Sequence, residues 1–391
     1  VSAQEDATVY VRLQGDDGVL PGNMAESSAF ALDLFAPRVT GLNVLQNASS
    51  RTVTMTYDLT DLTAAGQIIA LDISSDNGST WTVATSTLAG AIGAAQTAGT
   101  NKTITWDAGS DFAGQFNATM KVRIRATDSF ANASGNVLSL AFTVDTKAPV
   151  VSNVAASQQT GSSQVTVTYD LADDTGSNLT IALDISSDSG STWTVATSTL
   201  AGAIGAAQTA GTNKTITWDA GSDFAGQFST NMKARIRTRD AFGHDGTSIV
   251  SSSFIVDARI PVVSNVSASQ TAGTTQVVVI YSVADDTASN ITVALDISSD
   301  NGSTWTVATS TIAGAIGVAQ TAGTGKTITW DAGANFAGQF SASMKVRIRA
   351  TDSFANASGN VLSSAFIADA KTPTIANLTA SQTVGSRTVR I

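Results

Sequence analysis

The chain has 391 residues, no cysteine, 13% charged residues and a formal net charge of −10. Without cysteine there is no disulfide framework and no thiolate metal site, so each folded unit depends on an apolar core. The acidic balance argues against nucleic acid as a partner, because phosphate binding needs clustered Lys and Arg. No apolar run approaches the roughly 18 to 20 residues that span a bilayer.

The chain opens with a segment that matches the end of the unit following it. Val11 to Asp17 aligns with Val122 to Asp128, and Ser27 to Pro37 aligns with the last strand before Pro149. We therefore predict that residues 1–36 are the C-terminal strands of a partial immunoglobulin-like (Ig-like) repeat.

Three complete copies of one unit follow. The stretch from Leu71 to Phe116 returns almost unchanged as Leu183 to Phe228 and as Leu295 to Phe340, each time 112 residues further on. This period is the size of one independently folding domain. Prolines recur at the same offset, where a strand-breaking residue suits the joint between two domains: Pro37, Pro149, Pro261 and Pro373. The predicted repeats are residues 37–148, 149–260 and 261–372, with the first strands of a further partial repeat at 373–391.

Within each copy the pattern predicts strands. Val165, Val167, Tyr169 and Leu171 alternate with polar residues, as in a half-buried strand. Reading on in this way, including a strand at Thr192 to Thr197, gives seven short strands and no long amphipathic helix. The segment LAGAIGAAQTAG between the two tryptophan-containing stretches fits a strand, a loop or a packing surface. The predicted fold is all-β, a tandem array of seven-stranded Ig-like β-sandwiches, in an extended rod because the joints lack Gly or Ser runs.

A sequence stretch that recurs in each copy resembles a known family. The sequence Asp-Ile-Ser-Ser-Asp-x-Gly-Ser-Thr-Trp from Asp72 to Trp81, with Ala-Thr-Asp and Gly-Asn further on, is similar to tandem Ig-like or fibronectin III-like repeats of large bacterial extracellular surface proteins. Such modules serve as stalks, adhesins, filaments and surface layers. The run also matches the Asp-box of sialidase propellers, where it stabilises a hairpin. We expect the same role here, with both tryptophan columns in the cores.

Catalytic chemistry has little support in the sequence. The only histidine, His244, stands in one copy and is absent from the other two, so no histidine-based catalytic or metal site is predicted. We expect no enzymatic activity. Arg123 and Arg125 lie on one face of a strand, and we expect them to pair with Asp72 on its neighbour. A docking stripe for an acidic partner or a polysaccharide is the alternative.

Calcium is the predicted cofactor, if any. Aspartates cluster in loops near the predicted joints, where a hard cation could bind oxygen ligands and stiffen the array, although turn formation alone also explains them. The candidate ligands are Asp58, Asp61, Asp128, Asp145, Asp170, Asp173, Asp174, Asp240, Asp257, Asp285, Asp286 and Asp352.

The overall prediction is an extracellular or cell-surface structural protein that assembles with itself into a filament, surface layer or adhesive stalk. The partial repeats at the two ends fit either a window on a longer array or strand addition between subunits, head to tail or lateral. The rival function is an array of carbohydrate-binding modules that bind surface glycans, as part of a larger secreted hydrolase. Exposed aromatic platforms would favour the rival.

Overall fold

The computed structural model describes residues 5–62 and 65–391. Within those ranges the chain is β-structure apart from loops and three helices of four residues each. Three separate apolar cores lie along the chain, one in each copy of the repeat. The predicted all-β array of Ig-like sandwiches is confirmed.

The opening segment forms two strand pairs, β1 with β4 and β2 with β3. Its strands are β1 (Glu5–Val9), β2 (Arg12–Asp16), β3 (Pro21–Glu26) and β4 (Phe30–Asp33). Every residue of β2 and β3 is exposed, including the apolar side chains of Leu13 and Met24. Among residues 8–36, for which burial is described, Asp33 at the end of β4 is the single buried residue.

The first complete domain contains two sheets. Its elements are β5 (Arg38–Gln46), β6 (Thr52–Thr60), β7 (Ala65–Ser74), β8 (Ala89–Gly90), β9 (Gly93–Thr97), β10 (Gly99–Asp107), α1 (Ala108–Asp111), β11 (Phe116–Thr127), β12 (Val137–Leu138) and β13 (Phe142–Asp145). One sheet has the order β5-β6-β10-β8, and the other has β9-β7-β11-β12 with β13 also paired to β11. Two facing antiparallel sheets of this order are the Ig-like arrangement.

The second and third domains repeat this topology strand for strand. The second contains β14 (Val150–Gln158), β15 (Gln164–Ala172), β16 (Leu179–Ser186), β17 (Ala201–Gly202), β18 (Gly205–Gln208), β19 (Gly211–Asp219), α2 (Ala220–Asp223), β20 (Phe228–Arg239), β21 (Ile249–Val250) and β22 (Phe254–Asp257). The third contains β23 (Val262–Gln270), β24 (Gln276–Ala284), β25 (Ile291–Ser298), β26 (Ala313–Gly314), β27 (Gly317–Gln320), β28 (Gly323–Asp331), α3 (Ala332–Asn335), β29 (Phe340–Thr351), β30 (Val361–Leu362) and β31 (Phe366–Asp369).

The period-2 pattern fixes which side chains enter each core. In β15, Val165, Val167 and Tyr169 are buried while their polar neighbours are partly exposed. Trp218 on the adjacent β19 lies opposite Val165 and is fully buried. The Tyr169 hydroxyl donates to the carbonyl oxygen of Ala203 at 2.6 Å, so the polar end of the ring is satisfied.

The segment LAGAIGAAQTAG, whose conformation the sequence left open, crosses from one sheet to the other. In the second domain it supplies β17 to the first sheet and β18 to the second, with Leu200 and Ile204 packed on the core. Gly202 has φ +94°, and a Cβ there would lie 2.5 Å from the Thr215 carbonyl oxygen. The predicted strand at Thr192 to Thr197 is wrong, because after the hairpin turn only Val195 forms a bridge, to Ile185.

The last twenty residues contain only β32 (Ser381–Gln382) and β33 (Val389–Arg390), paired with each other. Across the described residues, no helix has both the length and the apolar character needed to cross a membrane.

Candidate functional site: acidic clusters at the domain joints

Buried acidic clusters lie where the tail of one unit meets the loops of the next. In each, one aspartate ends the last strand of the preceding unit, just before the joint proline, and another directly follows the long strand of the next domain. We call them the first, middle and third joint clusters. Their members are Asp33, Asp61 and Asp128; Asp145, Asp240 and His244; and Asp257, Asp285 and Asp352.

Each cluster is small enough to surround one ion. One potential ligand atom from each of the three residues lies within 4.8 Å of the other two. Calcium binds oxygen at about 2.3 to 2.6 Å, so ligand oxygens on opposite sides of the ion stand about 5 Å apart. The spacing and the oxygen-rich chemistry of the first and third clusters therefore fit a hard divalent cation.

The preceding unit's aspartate has an oxygen without a partner in every cluster. In Asp33, Asp145 and Asp257, Oδ2 is buried and has no hydrogen-bond partner in the described part of the chain. Their Oδ1 atoms accept from the backbone N–H two residues further on, at 2.9 to 3.0 Å. Asp369 makes the same Oδ1 bond but is exposed. The unpartnered buried oxygen is therefore a property of the joint and not of the turn.

Burial affects the ionisation of these carboxyls. It raises the pKa of Asp145 and of Asp257 to about 6, with nearby carboxylates adding to the effect. It also raises the pKa of Asp352. A buried carboxylate without compensating charge is unfavourable, and protonation or a bound cation relieves this.

The third joint is closed by direct bonds between the two domains. Asn356 donates through Nδ2 to Asp352 Oδ2 at 2.7 Å and to the Asp257 carbonyl oxygen at 3.0 Å. The backbone N–H of Gly161 donates to the Ser353 carbonyl oxygen at 2.7 Å. Asn132 makes the corresponding two bonds in the first joint, to Asp128 and to the Asp33 carbonyl oxygen.

The middle joint shares the backbone contact but differs in its side chains. Ser49 N–H donates to the Ala241 carbonyl oxygen at 2.9 Å, the counterpart of the Gly161 bond. His244 replaces the asparagine, and its Nδ1 lies 2.6 Å from Asp240 Oδ2. His244 Nε2 is buried without a hydrogen-bond partner among the described residues.

The structure sorts the predicted calcium ligands into four groups. Members of the joint clusters are Asp61, Asp128, Asp145, Asp240, Asp257, Asp285 and Asp352. Asp173 lies close enough to Asp145 to raise its pKa but outside the tight group. Asp174 and Asp286 instead form ion pairs with Lys147 at 2.8 Å and Arg259 at 3.0 Å.

The remaining two candidates lie on a sheet surface. Asp58 and Asp170 are within strands β6 and β15, and their Oδ1 atoms accept from the N–H of Asn101 and Asn213 at 2.7 Å. These bonds join each aspartate to the neighbouring strand, β10 or β19, and neither aspartate belongs to a cluster.

Two cluster members were absent from the sequence-based ligand set. Asp33 was not named among the candidate ligands, and no histidine-based site was predicted at His244 because only one of the three copies carries it. The signal for His244 was available: it stands 112 residues from both Asn132 and Asn356. A single substitution in an otherwise repeated loop marks a position to examine.

The Asp-box is a turn, as expected. Asp188 accepts from Thr192 N–H at 2.8 Å and from Ser186 Oγ at 2.7 Å. These bonds hold its pKa down, at about 2. The predicted ion pairing is confirmed as well, since Arg235 and Arg237 both contact Asp184 at 2.8 Å.

The tryptophan after the box is not in the core, which corrects one expectation. Trp106, Trp218 and Trp330 are fully buried, but Trp81, Trp193 and Trp305 are partly exposed. The guanidinium carbon of Arg235 lies 4.3 Å from the centre of the Trp193 ring. The turn ends the strand alternation before this residue, so its ring lies on the outer face of the sheet and stacks with arginine.

Comparison with known proteins identifies no family for this chain. No protein-family model matches the chain, and no curated protein matches it. Among solved structures, Sidekick-1 immunoglobulin domains 1–5 are 9% identical with a TM-score of 0.26, covering 93% of this chain and 66% of that one.

Two further solved structures are similarly distant. Drosophila OTK extracellular domains 3–5 are 8% identical, with a TM-score of 0.20 and coverage of 83% of this chain and 97% of that one. The sialic acid binding region of the Streptococcus sanguinis SK1 adhesin is 11% identical, with a TM-score of 0.25 and coverage of 85% and 77%.

Proposed function

We propose that the chain is an extracellular structural repeat protein, a rod of Ig-like domains whose joints are stiffened by bound divalent cations. The observation that supports it is the buried Oδ2 of Asp33, Asp145 and Asp257, which has no hydrogen-bond partner among the described residues at each of the first three joints. A cation would compensate each buried carboxylate only when the two units are docked, so binding and docking would be linked.

Calcium is the proposed ion of the first and third joints. The third would use Asp257 Oδ2 with Asp285 and Asp352, and the first would use Asp33 Oδ2 with Asp61 and Asp128. These ligands are carboxylate oxygens, which hard cations prefer. Each set combines residues of two units, so a bound ion would restrict their relative movement.

An extracellular or cell-surface location is part of the proposal. Its support is the absence of cysteine, the low charge content and the tandem domain architecture. The rod would serve as an adhesive stalk or assemble into a filament or surface layer, and the proposal includes no catalytic role.

Self-association would use outer sheet faces more readily than the long edge strand. In the second domain that strand, β14, is interrupted by a bulge at Asn153, which has φ +54°. Asn265 and Gly41 occupy the same position in the other domains and also have positive φ. Bulges hinder the addition of a further strand at an edge. Electron microscopy of concentrated protein tests assembly, and dispersed single particles under all conditions would contradict it.

The joint proposal is tested with Asp257→Asn and a matched control, Asp369→Asn. At pH 7.5 without cation, Asp257→Asn should stabilise the third joint, because it removes a buried charge. With calcium at about 100 times Kd, the wild-type site should gain about 2.7 kcal/mol, and the variant should lose that gain. Asp369→Asn should change neither value, since that carboxylate is exposed.

Calorimetry and small-angle scattering of the full chain give the readouts. A gain of 2.7 kcal/mol corresponds to a rise in melting temperature of roughly 10 °C for a domain of this size. Calcium should also lengthen the particle measured by scattering. If calcium and chelator give the same melting curve and the same dimensions, the cation-stiffened rod is refuted.

A second candidate function is glycan binding by the partly exposed tryptophan column. The supporting observation is that Trp81, Trp193 and Trp305 lie outside the cores, at the same place in each domain. Aromatic rings of this kind provide apolar contact area with a polar edge. A glycan array with wild type and the triple alanine variant tests it, and equal signals from the two proteins would refute it.

A further inference from the structure

The middle joint has a ligand set that differs from those of its neighbours. All three members of the cluster, Asp145, Asp240 and His244, are buried, and His244 is only 1% exposed. At the flanking joints, asparagine amides occupy this position and donate to the preceding unit's backbone. His244 makes no such bond among the described residues. The Asp145 carbonyl oxygen accepts from Gln46 Nε2 at 2.7 Å, as the Asp257 carbonyl oxygen does from Gln158 Nε2 at 2.9 Å, but only the latter also accepts from the cluster's asparagine.

The Asp240 carboxylate determines which ring nitrogen of His244 is free. Nδ1 lies 2.6 Å from Asp240 Oδ2, and a carboxylate is an acceptor, so Nδ1 carries the proton in this contact. In the neutral ring Nε2 then has a lone pair. Metal-binding histidines commonly donate their other ring N–H to a carboxylate, which orients the ring and increases its basicity.

Two atoms of this cluster have no hydrogen-bond partner within residues 5–62 and 65–391. One is Nε2 of His244 and the other is Oδ2 of Asp145, and both are buried. They come from different domains, so an ion between them would bridge the joint. Asp173, the counterpart of Asp61 and Asp285 in the flanking clusters, lies outside this tight group, and its Oδ2 accepts from Thr175 N–H at 3.0 Å. Imidazole nitrogen favours borderline ions such as Zn²⁺, whereas carboxylate and carbonyl oxygens favour Ca²⁺.

We propose that the middle joint binds one borderline transition-metal ion of the Zn²⁺ class through His244 Nε2 and Asp145 Oδ2, with Asp240 orienting the ring. This inference rests on the proposed function, in which the joints hold cations, and adds that the three joints differ in metal preference. The array would then carry one borderline ion between two calcium ions.

The repeat itself supplies matched variants. His244→Asn gives the middle joint the residue present at both flanking joints. Asn132→His places an imidazole in the first joint, where Asp33 Oδ2 is unpartnered. The full chain, without any histidine tag, is stripped with chelator and dialysed against equal low concentrations of Zn²⁺ and Ca²⁺, and the bound metal is measured by mass spectrometry.

Wild type should retain one Zn²⁺ per chain, His244→Asn should retain none, and Asn132→His should retain two. Because the chain has a single histidine, selective ¹⁵N labelling gives one pair of ring resonances. The Nε2 resonance should shift strongly on addition of Zn²⁺, and Nδ1 should remain protonated. This readout separates coordination from a purely structural role of the ring.

The outcomes distinguish this inference from the proposal on which it rests. Calcium at all three joints with no Zn²⁺ at the middle one would overturn the inference and leave the calcium-stiffened rod intact. Zn²⁺ at the middle joint with no calcium elsewhere would support the inference and refute the calcium sites. Zn²⁺ content unchanged by His244→Asn, or an unshifted Nε2 resonance, would overturn the assignment of His244.

Discussion

A glutamine ends the first strand of each domain and bonds the backbone of the domain's last strand. Its substitution measures how far the neighbouring domain excludes water from that backbone. Gln46 accepts from Asp145 N–H through Oε1 and donates to the Asp145 carbonyl oxygen through Nε2, both at 2.7 Å. Gln270 makes the same two bonds to Asp369, at 2.7 and 2.9 Å. The bonds are equivalent, but Asp145 is fully buried and Asp369 is exposed.

Substitution by alanine should therefore have unequal effects. In Gln46→Ala two backbone groups lose their partners where water cannot replace them, and each such group costs about 1 to 3 kcal/mol, so domain 1 should lose about 2 to 6 kcal/mol. In Gln270→Ala water can hydrate the freed groups, and the loss should be about 1 kcal/mol.

Hydrogen exchange followed by mass spectrometry on the full chain measures this domain by domain. Peptides from the long strand of the altered domain should exchange at least about 30-fold faster in Gln46→Ala and about 5-fold faster in Gln270→Ala, because 1.36 kcal/mol is a factor of ten. The two unaltered domains are internal references. Equal acceleration by the two substitutions would refute the claim that the neighbouring domain excludes water from Asp145.

Three further predictions follow from the structure. Without metal, the raised pKa of Asp145 and Asp257, about 6, stabilises the docked joints below pH 4. This stabilisation should be lost as the pH rises through 6, by up to about 1.4 kcal/mol per pH unit for each proton. Urea titrations with chelator at pH 4.5 and 7.5 measure the loss. Gly202→Ala should destabilise domain 2 more than Gly205→Ala in thermal melts. Both glycines have positive φ, so Gly205→Ala should cost about 1 to 2 kcal/mol, but only the Cβ added at Gly202 also meets a backbone clash. Lys147→Ala should cost under about 1 kcal/mol in the same melts, since its ion pair is half-exposed.

The domain interior was predictable because local pattern determines it. Alternation in β15 assigns Val165, Val167 and Tyr169 to the core, and the structure buries all three. The same rule placed Arg235 beside Asp184. It failed for Trp193, because the Asp-box turn ends the alternation before the ring is reached. A period-2 pattern carries no information beyond the end of its strand.

The joint clusters were predictable only in part. Asp58 and Asp61 are three residues apart in sequence, yet only Asp61 belongs to a cluster. Asp58 is still within β6, where its side chain faces the sheet surface, whereas Asp61 follows the strand end and reaches the joint. That distinction depends on where the strand ends to within two residues, which is the least certain feature of a sequence-based assignment. Domain docking determines which loops contact the last strand of the preceding unit, and the strand pattern does not predict that docking.

The distribution of differences between the copies connects these points. The nearly invariant stretch from Leu71 to Phe116 forms the hairpin, the sheet crossing and one core tryptophan strand of its domain. Every member of the joint clusters lies outside that stretch and its two copies. The invariant part therefore meets the packing demands common to all three sandwiches, and the substitution of Asn by His at position 244 falls at the joint. We infer that the domains are interchangeable as folded units, and that what distinguishes one from another along the array is the chemistry by which each is joined to the next.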